Sequence, residues 1–309
     1  MQGRATGTVG QLKAAFYRTS SFRQSHLIPV FRIDSSRGIF RQTYPFTVTE
    51  VANFGTIRTY GSTSFTHKRN ELAPPPVTAK YSSRVFFGDN VAGLLIGTDL
   101  KQEVAVLSAH YDHLGQSGNQ IFHGADDNAS GTAMVLSVVA VFDSLARQGI
   151  RPRRSILFVL FSGEEGGLLG SQYFVTNSPI PLNQFVCNLN ADMVGRVDYV
   201  HRKKPDYCYL ITNDQGRELQ LAAERANQQS VNLALNQGGY DTKNDPERHF
   251  SRSDHYNFAK LGIPVLFFTS GQHPDYHQPS DTADKINYDM LQKRATLLFQ
   301  TAWRVANPD

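Results

Sequence analysis

Cysteine is scarce: the 309 residues hold two, Cys187 and Cys208. Two cysteines form at most one disulfide, which excludes a small fold held together by disulfides. Both lie in apolar, strand-like runs (Phe185-Val186-Cys187 and Tyr207-Cys208-Tyr209) and read as free buried thiols. Long apolar runs are also lacking. No uninterrupted stretch approaches the roughly 18 apolar residues of a membrane-spanning helix, so membrane insertion is not expected. The opening MQGRATGTVGQLKAAFYR carries no apolar core of the kind a secretory leader needs. Internal repeats and low-complexity tracts are absent. Neither sign of charge dominates: 31 Lys and Arg against 27 Asp and Glu give a net charge of +4. Two short basic runs, Arg151-Pro152-Arg153-Arg154 and Arg202-Lys203-Lys204, read as solvated loop charge. A nucleic-acid surface would also need aromatic platforms beside them, so nucleic acid is not an expected partner.

What is present is globular. Apolar residues make up 40% and charged residues 19%, with 24 Gly and 14 Pro, which excludes disorder, collagen and coiled coil. The length suits one large α/β domain or two smaller ones and is enough to bury a core. The one linker-like stretch is the proline-rich Leu72-Ala73-Pro74-Pro75-Pro76-Val77. A helix is expected after Thr8, with Leu12, Ala15 and Phe16 on one face. Strand-like runs follow at 26–33, 45–51, 85–87 and 91–97. From Glu103 onward the pattern alternates. Strands are expected at 104–107, 155–161, 185–189, 207–211 and 263–268, and helices at 128–147, 167–175, 218–229 and 288–305. In the first of these helices Val135, Leu136, Val139, Phe142 and Leu145 recur at helical spacing. Such alternation implies a largely parallel sheet with helices on both faces. Ligands in such folds lie beyond the carboxyl ends of the strands.

Those strand ends are rich in metal-type ligands. His110-Tyr111-Asp112-His113 follows one strand, and Gly124-Ala125-Asp126-Asp127-Asn128-Ala129-Ser130-Gly131 comes after the next loop. Gly163-Glu164-Glu165-Gly166, Asn190-Ala191-Asp192 and Tyr276-His277 complete the set. Any one of these has an ordinary explanation: a capped histidine, surface charge, or a helix cap. Five on one sheet edge do not, because crowded carboxylates are costly unless a cation neutralises them. Imidazole nitrogen mixed with carboxylate oxygen suits zinc. Spacing adds roles. In an extended strand His110 and Asp112 share a face, so Asp112 can hold the far imidazole nitrogen. Adjacent Glu164 and Glu165 point differently, so one can bind metal while the other acts as a general base.

These segments make the sequence resemble the co-catalytic zinc aminopeptidases, whose relatives include glutamate carboxypeptidases, glutaminyl cyclases and transferrin-receptor ectodomains. The resemblance is carried by AHYDHLG, HGADDNASGTA, RRSILFVLFSGEEGGLLGS, NLNADMVGR, SRSDHYNFAKLGIPVLFF and DYHQPSDTADKI, in the family's order across residues 91–286, roughly two-thirds of the chain. It implies two zinc ions, one held by His110 and Asp192, the other by Glu165 and His277, with Asp127 bridging them. It further implies Glu164 as general base and acid, Asp112 as the orienter of His110, and Tyr276 as the group steadying the oxyanion. Arg252 and Phe268 match residues that line the substrate pocket. The bond between Asp127 and Asn128 is expected to be cis.

His113, His123, His255 and His273 match no role and read as structural or rim residues. Asp126 and Asn128 read as supporting or helix-capping groups, and Asp254 as a local turn or cap. The expected fold is a single α/β domain with a mixed, mostly parallel central sheet sandwiched between helices. Residues 1–90 would supply a first helix and strands of that domain, and 91–309 the catalytic core. The span 41–88 is too short for an inserted lid of the protease-associated kind. The implied activity is metallo-aminopeptidase action on peptide or aminoacyl substrates. A single-zinc glutaminyl cyclase and a carboxypeptidase are the alternatives. The resemblance implies a periplasmic or secreted protein, and it makes the first residues read as a segment normally internal to a precursor.

Overall fold

In chain order the main sheet takes β1 (Ile28–Pro29), β2 (Arg41–Val51), β3 (Gly55–Tyr60), β4 (Thr63–Lys68), β5 (Tyr81–Leu95), β6 (Leu100–His110), β7 (Arg154–Phe161), β8 (Phe185–Ala191), β9 (Tyr207–Ile211), β10 (Ala234–Asn236) and β11 (Val265–Thr269). The computed structural model describes residues 3–34, 37–51, 55–60, 63–68, 81–236, 240, 245 and 247–308. The proline-rich stretch Leu72–Val77 therefore lies outside the described residues. Across the sheet the order is β10-β9-β11-β8-β6-β7-β5-β2-β3-β4, with β1 paired to β5. The central strands β11, β8, β6 and β7 are parallel. An antiparallel extension runs from β5 through β2 and β3 to β4, and on the other side β9 lies antiparallel to β11 with β10 parallel to β9 at the edge. The chain is thus an α/β domain with a mixed sheet whose parallel strands lie at its centre.

The helices are α1 (Val9–Gln24), α2 (Gly131–Arg147), α3 (Leu169–Thr176), α4 (Arg217–Gln228), α5 (His255–Ala259) and α6 (Tyr288–Ala306). Strand alternation divides the core between two faces. On β7, Ile156, Phe158 and Leu160 join the core beneath α1, α2, α4 and α6, whereas Leu157, Val159 and Phe161 join the core beneath α3 and α5. With both faces covered, these strands read as unbroken apolar runs.

Several local expectations change. The runs 85–87 and 91–97 belong to one 15-residue strand, β5, and 26–33 breaks into Ile28–Pro29 and Phe31–Arg32. Helix α1 starts where expected, its Thr8 hydroxyl accepting from the Gln11 N–H at 3.3 Å. Its buried face is Gln11, Ala14, Ala15 and Phe22, while Leu12 and Phe16 are exposed. Gln11 turns inward because its amide donates to the buried Tyr111 hydroxyl. The stretch Ala125–Arg147, α2 with the kinked turn before it, is long and apolar enough to cross a membrane by length and composition, a property that interruptions such as Ser137 hide from a count of uninterrupted runs. Half of its apolar 18-residue window is buried inside the protein, and Met134, Val135, Val138, Val139 and Phe142 fill the core against the sheet. The first basic run is paired locally, Arg153 with Asp99 at 2.9 Å and Arg154 with Glu103 at 2.7 Å. Both cysteines are free and buried.

Candidate metal centre

The carboxyl ends of β6, β7, β8 and β11 deliver the acidic and imidazole groups to one place. His110 is the last residue of β6, Glu164 and Glu165 follow β7, Asp192 follows β8, and the loop after β11 carries Tyr276 and His277. Asp127 comes from the turn that precedes α2, where the Asp127–Asn128 peptide bond is cis.

Asp127 lies at the centre of two groups. On one side His110 Nε2 is 3.3 Å from Asp127 Oδ1 and 3.4 Å from Asp192 Oδ1. On the other side His277 Nε2 is 3.0 Å from Asp127 Oδ2 and 3.1 Å from Glu165 Oε2. A tetrahedral zinc with bonds of about 2.0–2.1 Å sets neighbouring ligand atoms about 3.3 Å apart. The His110 side matches that spacing, and the His277 side is slightly tighter. Both ring nitrogens of His110 and Asp192 Oδ1 are buried with no hydrogen-bond partner among the described residues. Of these, His110 Nε2 and Asp192 Oδ1 converge with Asp127 Oδ1 on one point, as a metal site requires, and imidazole with carboxylate is a zinc-type set.

Charge in the cluster is strongly perturbed. Burial opposes the charged form of His110, but Asp192 and Glu164 outweigh it and raise its pKa well above the ordinary value. Burial likewise opposes ionisation of Asp127, yet the imidazoles around it hold it well below the usual carboxylate range. Burial raises Glu164 well above that range, opposed by His110 and reinforced by Glu165 and Asp192. Glu164 Oε2 stands 3.9 Å from His110 Nε2, outside the tight contacts around Asp127. Asp112 Oδ1 is 3.5 Å from His110 Nδ1.

A cavity opens over these groups, lined by Asp127, Glu164 and Asp192 on its acidic side and by Met193, His249, Arg252, Phe267, Thr269 and Tyr276 around the rest. Tyr276 stacks on His277 with ring centroids 3.9 Å apart, and its hydroxyl accepts from Arg252 Nη2 at 3.2 Å. Phe268 is elsewhere. It is fully buried in the core, and alternation along β11 gives the cavity its neighbour Phe267 instead.

Other residues surround this cluster. His113 is buried within the cluster, its Nδ1 2.7 Å from Glu165 Oε1. His273 is buried with Nε2 3.2 Å from Asp126 Oδ2. His255 is a core residue, and His123 is exposed. Asp254 makes no side-chain cap bond; it is fully buried, and burial pushes its carboxyl up to about 7. Asn128 ties the turn to β8: its amide donates to Ala191 O at 2.9 Å, and its Oδ1 accepts from the Gly131 and Met193 N–H groups. Asp281 accepts from the backbone N–H groups of Asp126 and Asp127. Ser253 donates to Asp192 Oδ2 at 2.7 Å. The adjacency of His113 to the His110-x-Asp112 pair was a usable signal; Asp281 and Ser253 gave none, since their partners lie far away in sequence.

The model of peptidase family M28 matches residues 90–302. The chain belongs to this family. It is 29% identical to aminopeptidase YwaD of Bacillus subtilis (strain 168) over 231 residues, 71% of this chain and 45% of that protein. The chain spans about half the length of the curated relatives it matches. Among solved structures it is similar to BSAP, a zinc aminopeptidase from Bacillus subtilis, with a TM-score of 0.68 at 19% identity, covering 99% of this chain and 91% of that one. A glutaminyl cyclase from Porphyromonas gingivalis shares the fold with a TM-score of 0.61 at 16% identity, covering 97% and 92%.

Proposed function

We propose that this M28 chain is a dinuclear zinc aminopeptidase, removing the N-terminal residue of peptides. The observation that carries this reading is the position of Asp127, with one carboxylate oxygen beside His110 and the other beside His277. In this reading Asp127 would be shared between two ions, with His110 and Asp192 holding one and Glu165 and His277 the other. The orphaned Nε2 of His110 and the orphaned Oδ1 of Asp192, 3.4 Å apart, support it. Zinc, when bound, polarises the scissile carbonyl and makes nearby water more acidic.

The chain's own groups do the rest. Glu164 lines the cavity and takes a proton from the attacking water, then delivers it to the leaving amine. The Tyr276 phenol stays protonated, because burial and the charge of Asp127 raise its pKa despite Arg252, so it can donate to the oxygen that becomes negative. Asp112 fixes the ring of His110. Asp127, Glu164 and Asp192 give the cavity an acidic side that suits a free substrate ammonium, which favours removal of a terminal residue over internal cleavage. Met193 and Phe267 offer apolar surface for the first side chain.

The test is metal content by elemental analysis together with hydrolysis of aminoacyl-4-nitroanilides, for the parent and for Glu164→Gln. The parent is expected to hold about two zinc ions and to lose activity on chelation. Glu164→Gln is expected to keep its zinc and lose roughly 10²–10⁴-fold in kcat. Normal turnover in that variant would refute the general-base role. One zinc per chain, no nitroaniline release and cyclisation of N-terminal glutamine would replace the aminopeptidase by a cyclase.

A further inference from the structure

Residues 3–8, ahead of α1, reach into the metal centre from more than a hundred positions away. The Arg4 guanidinium donates to three backbone carbonyls: Nε to Tyr111 O at 2.9 Å, Nη1 to His123 O at 2.6 Å and Nη2 to Gly124 O at 3.0 Å. The Arg4 carbonyl accepts in turn from the His113 N–H at 3.3 Å. Arg4 thereby clamps both ends of the loop that carries Asp112 and His113 and leads into the Asp126–Asp127 turn. Burial lowers its pKa, opposed by the charges of Asp112, Asp127, Glu165 and Asp281. The approach is close: a Cβ on Gly3 would meet the backbone of Gly115 at 2.5 Å.

Thr6 makes the second connection. Its hydroxyl donates to Asp112 Oδ2 at 2.9 Å and accepts from the Gly163 N–H at 2.8 Å. Asp112 Oδ1 accepts from the Glu164 N–H at 3.3 Å and faces His110 Nδ1. One hydroxyl therefore sits between the carboxylate that orients His110 and the backbone that presents Glu164 and Glu165. A carboxylate held on one side only can rotate, and the imidazole it orients rotates with it.

We infer that Arg4 and Thr6 are positioning residues of the metal centre, with Thr6 setting Asp112, His110 and the Glu164 backbone, and Arg4 setting the loop that carries Asp112 and His113. The inference rests on the dinuclear zinc reading above. Neither residue belongs to the candidate ligand groups or lines the cavity over them. Their effect passes through Asp112, and partners of this kind are worth roughly 10- to 100-fold in metal affinity or activity.

The test uses the full chain and reads zinc binding directly, by competition with a chromogenic chelator, beside kcat, KM and thermal melting. The parent is titrated first; a parent that takes up no zinc overturns the dinuclear reading and this inference with it. With a zinc-binding parent, Thr6→Val is expected to weaken one binding step roughly 10- to 100-fold, to lower kcat more than it raises KM, and to leave the other step near its parent value. Thr6→Ser keeps the hydroxyl and is expected to restore both. A folded Thr6→Val with parental zinc steps and parental kcat overturns the inference while leaving the zinc reading intact. Should Thr6→Val fail to fold, Arg4→Lys carries the test, because it keeps the charge and loses the three-carbonyl fork. Parental zinc affinity in folded Arg4→Lys overturns the inference equally.

Discussion

His255 makes an acid-stability prediction that is independent of the metal. It opens α5 and is fully buried. Its ring stacks on Phe267 with centroids 4.6 Å apart and meets Phe250 edge-on at 5.3 Å. Neither nitrogen has a partner at full hydrogen-bond geometry among the described residues. Burial pushes its pKa down to about 3, only partly offset by the backbone of Phe250. In the unfolded chain the same imidazole titrates near about 6.5. Between those values the unfolded chain binds a proton that the folded chain does not. The stability due to a neutral His255 is therefore complete above about pH 6.5 and is lost as pH falls toward about 3. Linkage sets the loss at about 2 kcal/mol by pH 5. His255→Leu, close in volume, removes the titrating group. Urea unfolding of parent and variant, both with chelator so that the metal ligands titrate alike, should give stabilities that diverge on acidification. The variant should gain about 2 kcal/mol on the parent between roughly pH 7.5 and pH 5. Parallel pH profiles would refute the reasoning, since they would mean that the imidazole finds water or a partner on protonation.

Three further outcomes follow from the packing and the site. Phe174 is fully buried among Phe31, Phe161, Phe185 and Phe258, so Phe174→Ala should cost about 3–5 kcal/mol in chemical denaturation. A loss below about 1 kcal/mol would mean that this face of the sheet collapses to fill the gap. A Cβ on Gly131 would lie 2.3 Å from Asn128 Oδ1 and 2.4 Å from Ala191 O, so Gly131→Ala should dislodge Asn128 and weaken zinc binding roughly 10-fold in a chelator competition. Chelation should lower the melting temperature of the parent, because zinc at about 100 times its Kd contributes about 2.7 kcal/mol to the folded state; an unchanged melt would count against a metal at this site.

The parallel centre was legible because its physics is local. Buried on both faces, β6, β7 and β8 give unbroken apolar runs, and the ligands stand just after them. The N-terminal third was harder to read. On α1 the apolar Leu12 and Phe16 face outward, and a glutamine is buried because a tyrosine hydroxyl 100 residues away accepts from it. No periodicity carries that information. Phe268 and Phe267 differ by one strand position, and pairing of β11 with β8 and β9 decides which of them meets the cavity.

The same limit explains the asparagines of β8. In an apolar strand Asn188 and Asn190 look like defects, since each would bury a polar amide at a cost. In the fold they belong to a buried chain of hydrogen bonds. Asn188 donates to Ser108 at 2.9 Å, Ser108 to Asn190 at 2.7 Å, Asn190 to Ser253 at 2.8 Å, and Ser253 to Asp192 at 2.7 Å. Ser108 lies on β6 on the same face as His110, so the chain crosses from strand to strand beneath the cluster and ends on one of its carboxylates. A connected network of this kind, in which only Asn188 Oδ1 and Asp192 Oδ1 lack a partner among the described residues, fixes a single arrangement where an apolar contact would allow several. The polar residues that weaken the strand as a core element are those that hold Asp192 in place.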